Sequence, residues 1–260
     1  MTTVAKEFDA EAAVGLFSGV CEGSLSHLYR SSPIEIVPDD TIIISEGVRL
    51  RHLHIVRRGV IELFAQAGES RTTISLLGPG ESFILAAVVN NAVALMSART
   101  LGGTELMHIP ANLFRKLLKS DQQLLRNVAC SLAGNFRGVV RHLRDQKLRS
   151  TNQRLAAYLV RLHQQQGARG VVRLPLRKNL IASLLGMQPS SLSRAFADLQ
   201  VLGVTVEQDR VNLAKLEELE TFACLHQRVD ATDATPVNRY RKVDGSPERL
   251  EKKGIRDHEI

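Results

Sequence analysis

Between Asn179 and Leu199 the chain gathers its clearest chemistry on one polar face. Ser190, Ser191, Ser193 and Arg194 lie there, with Asp198 behind them. An arginine guanidinium can bond both guanine acceptors in the major groove, and serine hydroxyls can serve bases or phosphates. Gln188, at the entry to this stretch, and the pair Arg177–Lys178 upstream complete the candidate DNA-binding set. Cations at the start of a preceding helix sit beside the phosphate backbone. Such contacts need a rigid frame of two crossing helices. Ile181, Leu184 and Leu185 supply the apolar face of the first, and Ala182 lets the helices approach closely. Gly186 takes the turn and Pro189 suits a first helical position, where its missing N–H has no partner to lose. Leu192, Phe196 and Leu199 anchor the second. This is the pattern of a helix-turn-helix, which reads base edges from the N-terminal end of its second helix.

The charge distribution points to the same partner. From Arg137 to Arg194 there are twelve basic residues and one acid, Asp145, a local excess of eleven. The whole chain is only +7, so the remainder is net −4. A one-sign block on an otherwise slightly acidic protein is an electrostatic footprint for a polyanion such as double-stranded DNA.

Composition excludes several classes. Of 260 residues, 44% are hydrophobic and 23% charged, the balance of a globular chain. No apolar run nears the ~20 residues of a membrane helix, and no apolar leader opens the sequence, so a cytoplasmic protein is expected. Cys21, Cys130 and Cys224 are far apart, without the paired spacing that zinc or an iron–sulfur cluster requires.

Three regimes must position the polar face. Residues 15–120 hold short apolar runs separated by turn signals, with strands expected at Thr41–Ile44, Leu53–Arg57, Val60–Phe64, Thr72–Leu77 and Leu106–Ile109. Residues 121–149 carry Leu125, Val128, Leu132, Phe136, Val139 and Leu143 at helical spacing, a stripe whose partner is either the chain's own sheet domain or a second copy of the helix, with a dimer seam preferred. Residues 150–223 form a helical unit with a hairpin at Val204–Val206 and Arg210–Leu213. Residues 224–260 read as a disordered, charged tail that aids solubility or contacts RNA polymerase.

At this point the sequence resembles the Crp/Fnr family of transcription regulators. The C-terminal signature is Leu185-Gly186-Met187 through Pro189, Leu192, Ser193 and Arg194. The N-terminal one runs through Glu46-Gly47, His54–Leu63, Ile74–Phe83 and Met107–Pro110. The resemblance implies an α+β chain with an N-terminal cyclic-nucleotide-binding-type β-roll, a long dimerisation helix and a C-terminal winged helix-turn-helix. It implies a homodimer on a palindromic site and no enzymatic activity.

Two departures matter. Where the cyclic-nucleotide branch has Arg-Ser or Arg-Thr for the phosphate, Ala94 and Leu95 stand, so no cyclic nucleotide is expected. The segment Ile84, Leu85, Val88, Leu95 and Met96 is then either packed core or a pocket for an apolar ligand or haem. His27, His52, His54 and His108, with Cys21, are the candidate axial ligands. The stretch Phe83–Thr100 looks like that of the branch responsive to nitric oxide and low oxygen. Finally, Ser190 replaces the Glu of members that read the common TTGA-type half-site. Two other readings remain: a ligand-independent regulator controlled by its abundance, and a cupin-like enzyme using His52 and His54, which share a strand face.

Overall fold

The computed structural model describes residues 15–167, 170–226 and 230. Helix α1 (Glu22–Arg30) leads into β1 (Ile34–Val37), β2 (Ile42–Ile44), β3 (His52–Ala67), β4 (Ser70–Leu77) and β5 (Ser82–Phe83). Then come the short α2 (Leu85–Asn90) and β6 (Ser97–Pro110). All six strands form one antiparallel sheet in the order β1–β6–β3–β4, with β2 on β6 and β5 on β3. Leu53, Ile61, Phe83, Leu106 and Ile109 fill its interior.

Two expected strands prove to be one. Arg58-Gly59 reads as a turn in the sequence but is a double bulge inside β3, where pairing with β6 shifts on either side of Arg58. Gly59 has φ +86°, and a Cβ there would meet Thr104 Oγ1 at 2.6 Å and Gly103 O at 2.8 Å. The glycine therefore lets β6 approach and bends the strand, which rolls the sheet.

From the sheet the chain passes into α3 (Ala111–Ser120) and the long α4 (Gln122–Leu148). Asp121 caps α4 by accepting a hydrogen bond from Leu124 N at 3.0 Å. That bond, first among several, holds its carboxyl at about 2. The apolar stripe of α4 divides in two. Val128 is buried in the sheet domain's own core together with Leu124, and Leu132 packs against it, whereas Leu125, expected on the stripe, is 50% exposed. Farther along, Phe136 (69% exposed), Val139 (63%) and Leu143 (54%) face solvent.

Ser150 starts α5 (Thr151–Gln166) with a reciprocal capping box to Gln153. The C-terminal unit continues with β7 (Val171–Arg173), α6 (Lys178–Leu184), α7 (Pro189–Asp198) and a 3-10 turn, Leu199–Leu202. The hairpin β8 (Val204–Glu207) and β9 (Arg210–Leu213) follows, then α8 (Leu216–Phe222). Strand β7 joins the expected hairpin on β9, giving a three-stranded wing. A second core, with Leu155, Leu159, Ile181, Leu192, Phe196 and Leu219, holds this unit together.

The expected tail begins too early. Leu225 packs against the second core. Asp230 is 8% exposed and accepts from Arg149 at 2.8 Å and Arg161 at 2.9 Å. Asp145 on α4 pairs with the same two arginines. The sequence counted Asp230 among solvated charges because its partners lie 69 and 81 residues away. Residues 227–229 and 231–260 of that tail lie outside the described residues.

Candidate nucleic-acid interface

The two helices of the motif cross over buried Ile181, Ala182, Leu192, Ala195 and Phe196. This leaves Ser190, Ser193 and Arg194 exposed on α7, with Ser191 half-buried and Gln188 exposed at the N-cap. Arg177 and Lys178 are exposed at the start of α6, on the same unit. The Lys178 ammonium also lies 5.8 Å from the centroid of the Phe196 ring. Ser193 Oγ donates to Pro189 O at 3.1 Å, so toward DNA it offers an acceptor. Asp198 accepts from Asn152 Nδ2 of α5 at 2.9 Å.

The turn between the helices is gripped from outside the motif. Leu185 O accepts from Gln146 Nε2 of α4 at 3.2 Å and from Arg154 Nε of α5 at 3.1 Å. Gly186 has φ +64°, and a Cβ there would stand 2.6 Å from Gln146 Nε2. A further contact joins the sheet to α6: Thr73 N donates to Ser183 Oγ at 2.8 Å. These contacts carry no signature in the sequence, since their partners are 31 to 110 residues apart.

The basic block is not all interface. Arg149 and Arg161 are tied to Asp145 and Asp230, and Arg173 pairs with Asp209 at 2.7 Å. Arg154 spends two nitrogens on backbone carbonyls. Arg137, Arg141, Arg144 and Lys147 ride on α4. The exposed cations of the motif itself are Arg177, Lys178 and Arg194. Counting charge along the chain overstated the footprint because folding brought acids to half-buried arginines.

The expected effector residues do not converge on one pocket. Leu85 and Val88 are 2% and 1% exposed and belong to the sheet domain's core, with Ile84 and Met96 packed against it. Leu95 is 77% exposed and lines no enclosed space with them, which corrects the expectation for that residue. It projects outward because Ala94 is pinned on both sides, Gly47 N donating to Ala94 O and Ala94 N to Val48 O. Arg99 is committed to Glu62 and Asp40.

Three of the four histidines do meet. His54 and His108, paired across β3 and β6, face each other with Nδ1 atoms 2.9 Å apart. His54 stacks on Phe83 at 5.1 Å, and the His52 ring centre lies 6.2 Å from both partners. Burial, then His108 and His52, pushes His54 down to about 3. Burial also lowers His108, against the pull of Glu35 at 3.4 Å. His27 stands exposed on α1, outside this cluster. Among the described residues, no group of three or more His, Cys, Asp or Glu side chains is arranged to hold a metal, and no helix is long and apolar enough to cross a membrane.

Residues 34–121 match the cyclic nucleotide-binding domain, and residues 153–222 match the Crp-like helix-turn-helix domain. Among solved structures, the chain is similar to a regulatory protein from Silicibacter pomeroyi DSS-3, provisionally described as cAMP-binding. Identity is 28%, coverage 79% of this chain and 93% of that one, and the TM-score 0.52. FixK2 from Bradyrhizobium japonicum is 17% identical over 75% of this chain and 98% of its own, with a TM-score of 0.64. A CooA mutant from Carboxydothermus hydrogenoformans is 15% identical over 76% and 90%, with a TM-score of 0.66. No curated protein matches the chain significantly. A cyclic-nucleotide-binding-type β-roll, a long helix and a C-terminal helix-turn-helix, in that order, give the fold of a Crp/Fnr-type transcription regulator. The two domain matches and the fold of these neighbours support the Crp/Fnr family.

Proposed function

We propose that the protein is a homodimeric, sequence-specific DNA-binding transcription regulator. The observation that carries this reading is the face of α7, where Ser190, Ser193 and Arg194 are exposed with Arg177 and Lys178 beside them. The dimer follows from the solvent-facing apolar half of α4, where each copy can bury Phe136, Val139 and Leu143 against the other. Affinity selection from random DNA tests the proposal. The expected product is a palindrome with half-sites about 34 Å apart, one helical turn. Binding that depends only on salt, with no sequence preference, counts against it.

Control by a cyclic nucleotide is not part of the reading. Ala94 and Leu95 offer a phosphate neither cation nor side-chain donor, and Arg99 is already paired. Titration calorimetry with cAMP tests this, and no heat of binding is expected. Nitric oxide sensing, activation and contact with RNA polymerase come from the resemblance alone. Haem, the group such sensing would use, does not fit His52, His54 and His108. His54 is buried and stacked on Phe83, and the Nε2 of His108 is buried 3.4 Å from Glu35, so neither imidazole stands open to a macrocycle. An unchanged absorbance spectrum on adding haem is expected. The packing of Leu85 and Val88 into the core favours a second reading, a regulator whose β-roll holds no effector.

A further inference from the structure

A cavity of about 170 Å³ lies where the sheet domain, α4, α5 and α6 meet. Leu76 of β4, Leu176, Leu184 of α6 and Leu185 just past its end make its apolar walls. An enclosed space of ~150 Å³ is enough for one benzene ring. Its polar side is unbalanced. Asp145 is neutralised by Arg149 and Arg161. Arg154 has its Nε and one amino group on the carbonyls of Leu185 and Arg149, and has no carboxylate partner among the described residues. The Tyr158 hydroxyl, also in the wall, has no hydrogen-bond partner among the described residues. Burial pushes that phenol well above its ordinary range, so it stays a protonated donor.

An apolar slot of one-ring size, one unmatched cation and one unused O–H donor define a ligand. We propose that this junction is a binding site for a small organic acid, a single aromatic or branched aliphatic body carrying one carboxylate. The carboxylate accepts from Tyr158 and faces Arg154, and the body lies against Leu76, Leu176 and Leu184. Wall residues also hold the motif in place, since Arg154 and Gln146 both donate to Leu185 O. A ligand here therefore touches the sheet domain and the turn of the helix-turn-helix at once. Its consequence for DNA rests on the proposed function, but the binding itself does not.

The test uses the full chain with benzoate, benzamide and benzamidine in ligand-observed NMR and calorimetry. Benzoate is expected to bind saturably, one per chain, in the millimolar range or tighter, as suits so few heavy atoms. Neutral benzamide should bind at least several-fold more weakly, and cationic benzamidine not at all. Tyr158→Phe should weaken benzoate several-fold. Ser75→Tyr, which fills the cavity from the sheet side, should abolish binding, with circular dichroism checking that the fold persists. No saturable uptake of benzoate, or equal uptake of all three probes, overturns the proposal. So does unchanged binding by a folded Ser75→Tyr. A DNA titration with and without benzoate is a separate arm. If the chain binds no specific DNA yet takes up benzoate as described, the regulator reading fails and the site stands.

Discussion

Arg194 is exposed near the middle of α7, without a carboxylate partner among the described residues, and under the proposed function it is the residue assigned to base readout. Arg194→Ala should cost about 1–3 kcal/mol of discrimination and relax sequence preference at one position of each half-site, measured by gel shift on the selected site. Lys178→Ala should instead weaken all sequences alike and lower the salt slope by about one. Ser190→Glu restores an acceptor for a cytosine amino group, and a repeated selection should show that base appear where Ser190 points. The histidine pair sets a pH dependence. His54 has a folded value of about 3, below the ordinary 6.5, so the unfolded chain binds more protons between those limits. Stability should therefore fall as pH drops below about 6.5, by up to ~1.4 kcal/mol per unit for one proton. Chemical denaturation between pH 7 and 5 checks this. His54→Gln keeps a polar partner for His108 without titrating, and an unchanged slope in that variant would refute the assignment.

At the scale of elements, the bulge in β3 decides how the sheet rolls. Gly59→Ala forces a side chain into a left-handed backbone and against Thr104 and Gly103. A loss on the order of 1–3 kcal/mol is expected, read as a lowered denaturation midpoint. The bulge was hidden in the sequence because Arg-Gly is an equally good turn signal. Whether it turns or bulges depends on β6 being alongside, and β6 lies some forty residues later. The helix-turn-helix was legible for the opposite reason. Its apolar spacing, its turn glycine and its helix-starting proline are all local, and α6 and α7 formed where they were expected. What was not legible is the grip on its turn, because Gln146, Arg154 and Thr73 belong to other elements.

For the whole molecule, α4 is the part that one chain leaves unfinished. Its first half buries Leu124 and Val128 against the chain's own sheet, and its second half presents Phe136, Val139 and Leu143 to solvent. Phe136→Glu should shift the protein from dimer to monomer in analytical ultracentrifugation and weaken binding to the palindrome far more than to a single half-site. The sequence by itself determined the order of the parts: a β-rich unit, a striped helix, and a basic unit with a helix-turn-helix. Periodicity, turn residues and caps act over a few residues, so they are written locally. Only the tertiary structure decided which charges remain available and where open space lies. Arg149 and Arg161 look like DNA-facing cations until Asp145 and Asp230 fold onto them. Leu85 and Val88 look like a pocket until the core closes over them. The junction cavity has walls on β4, α4, α5 and α6, and none of those segments carries a mark of it alone. Ion pairing and cavity shape depend on distances between segments remote in the chain, and those distances exist only once the chain has folded.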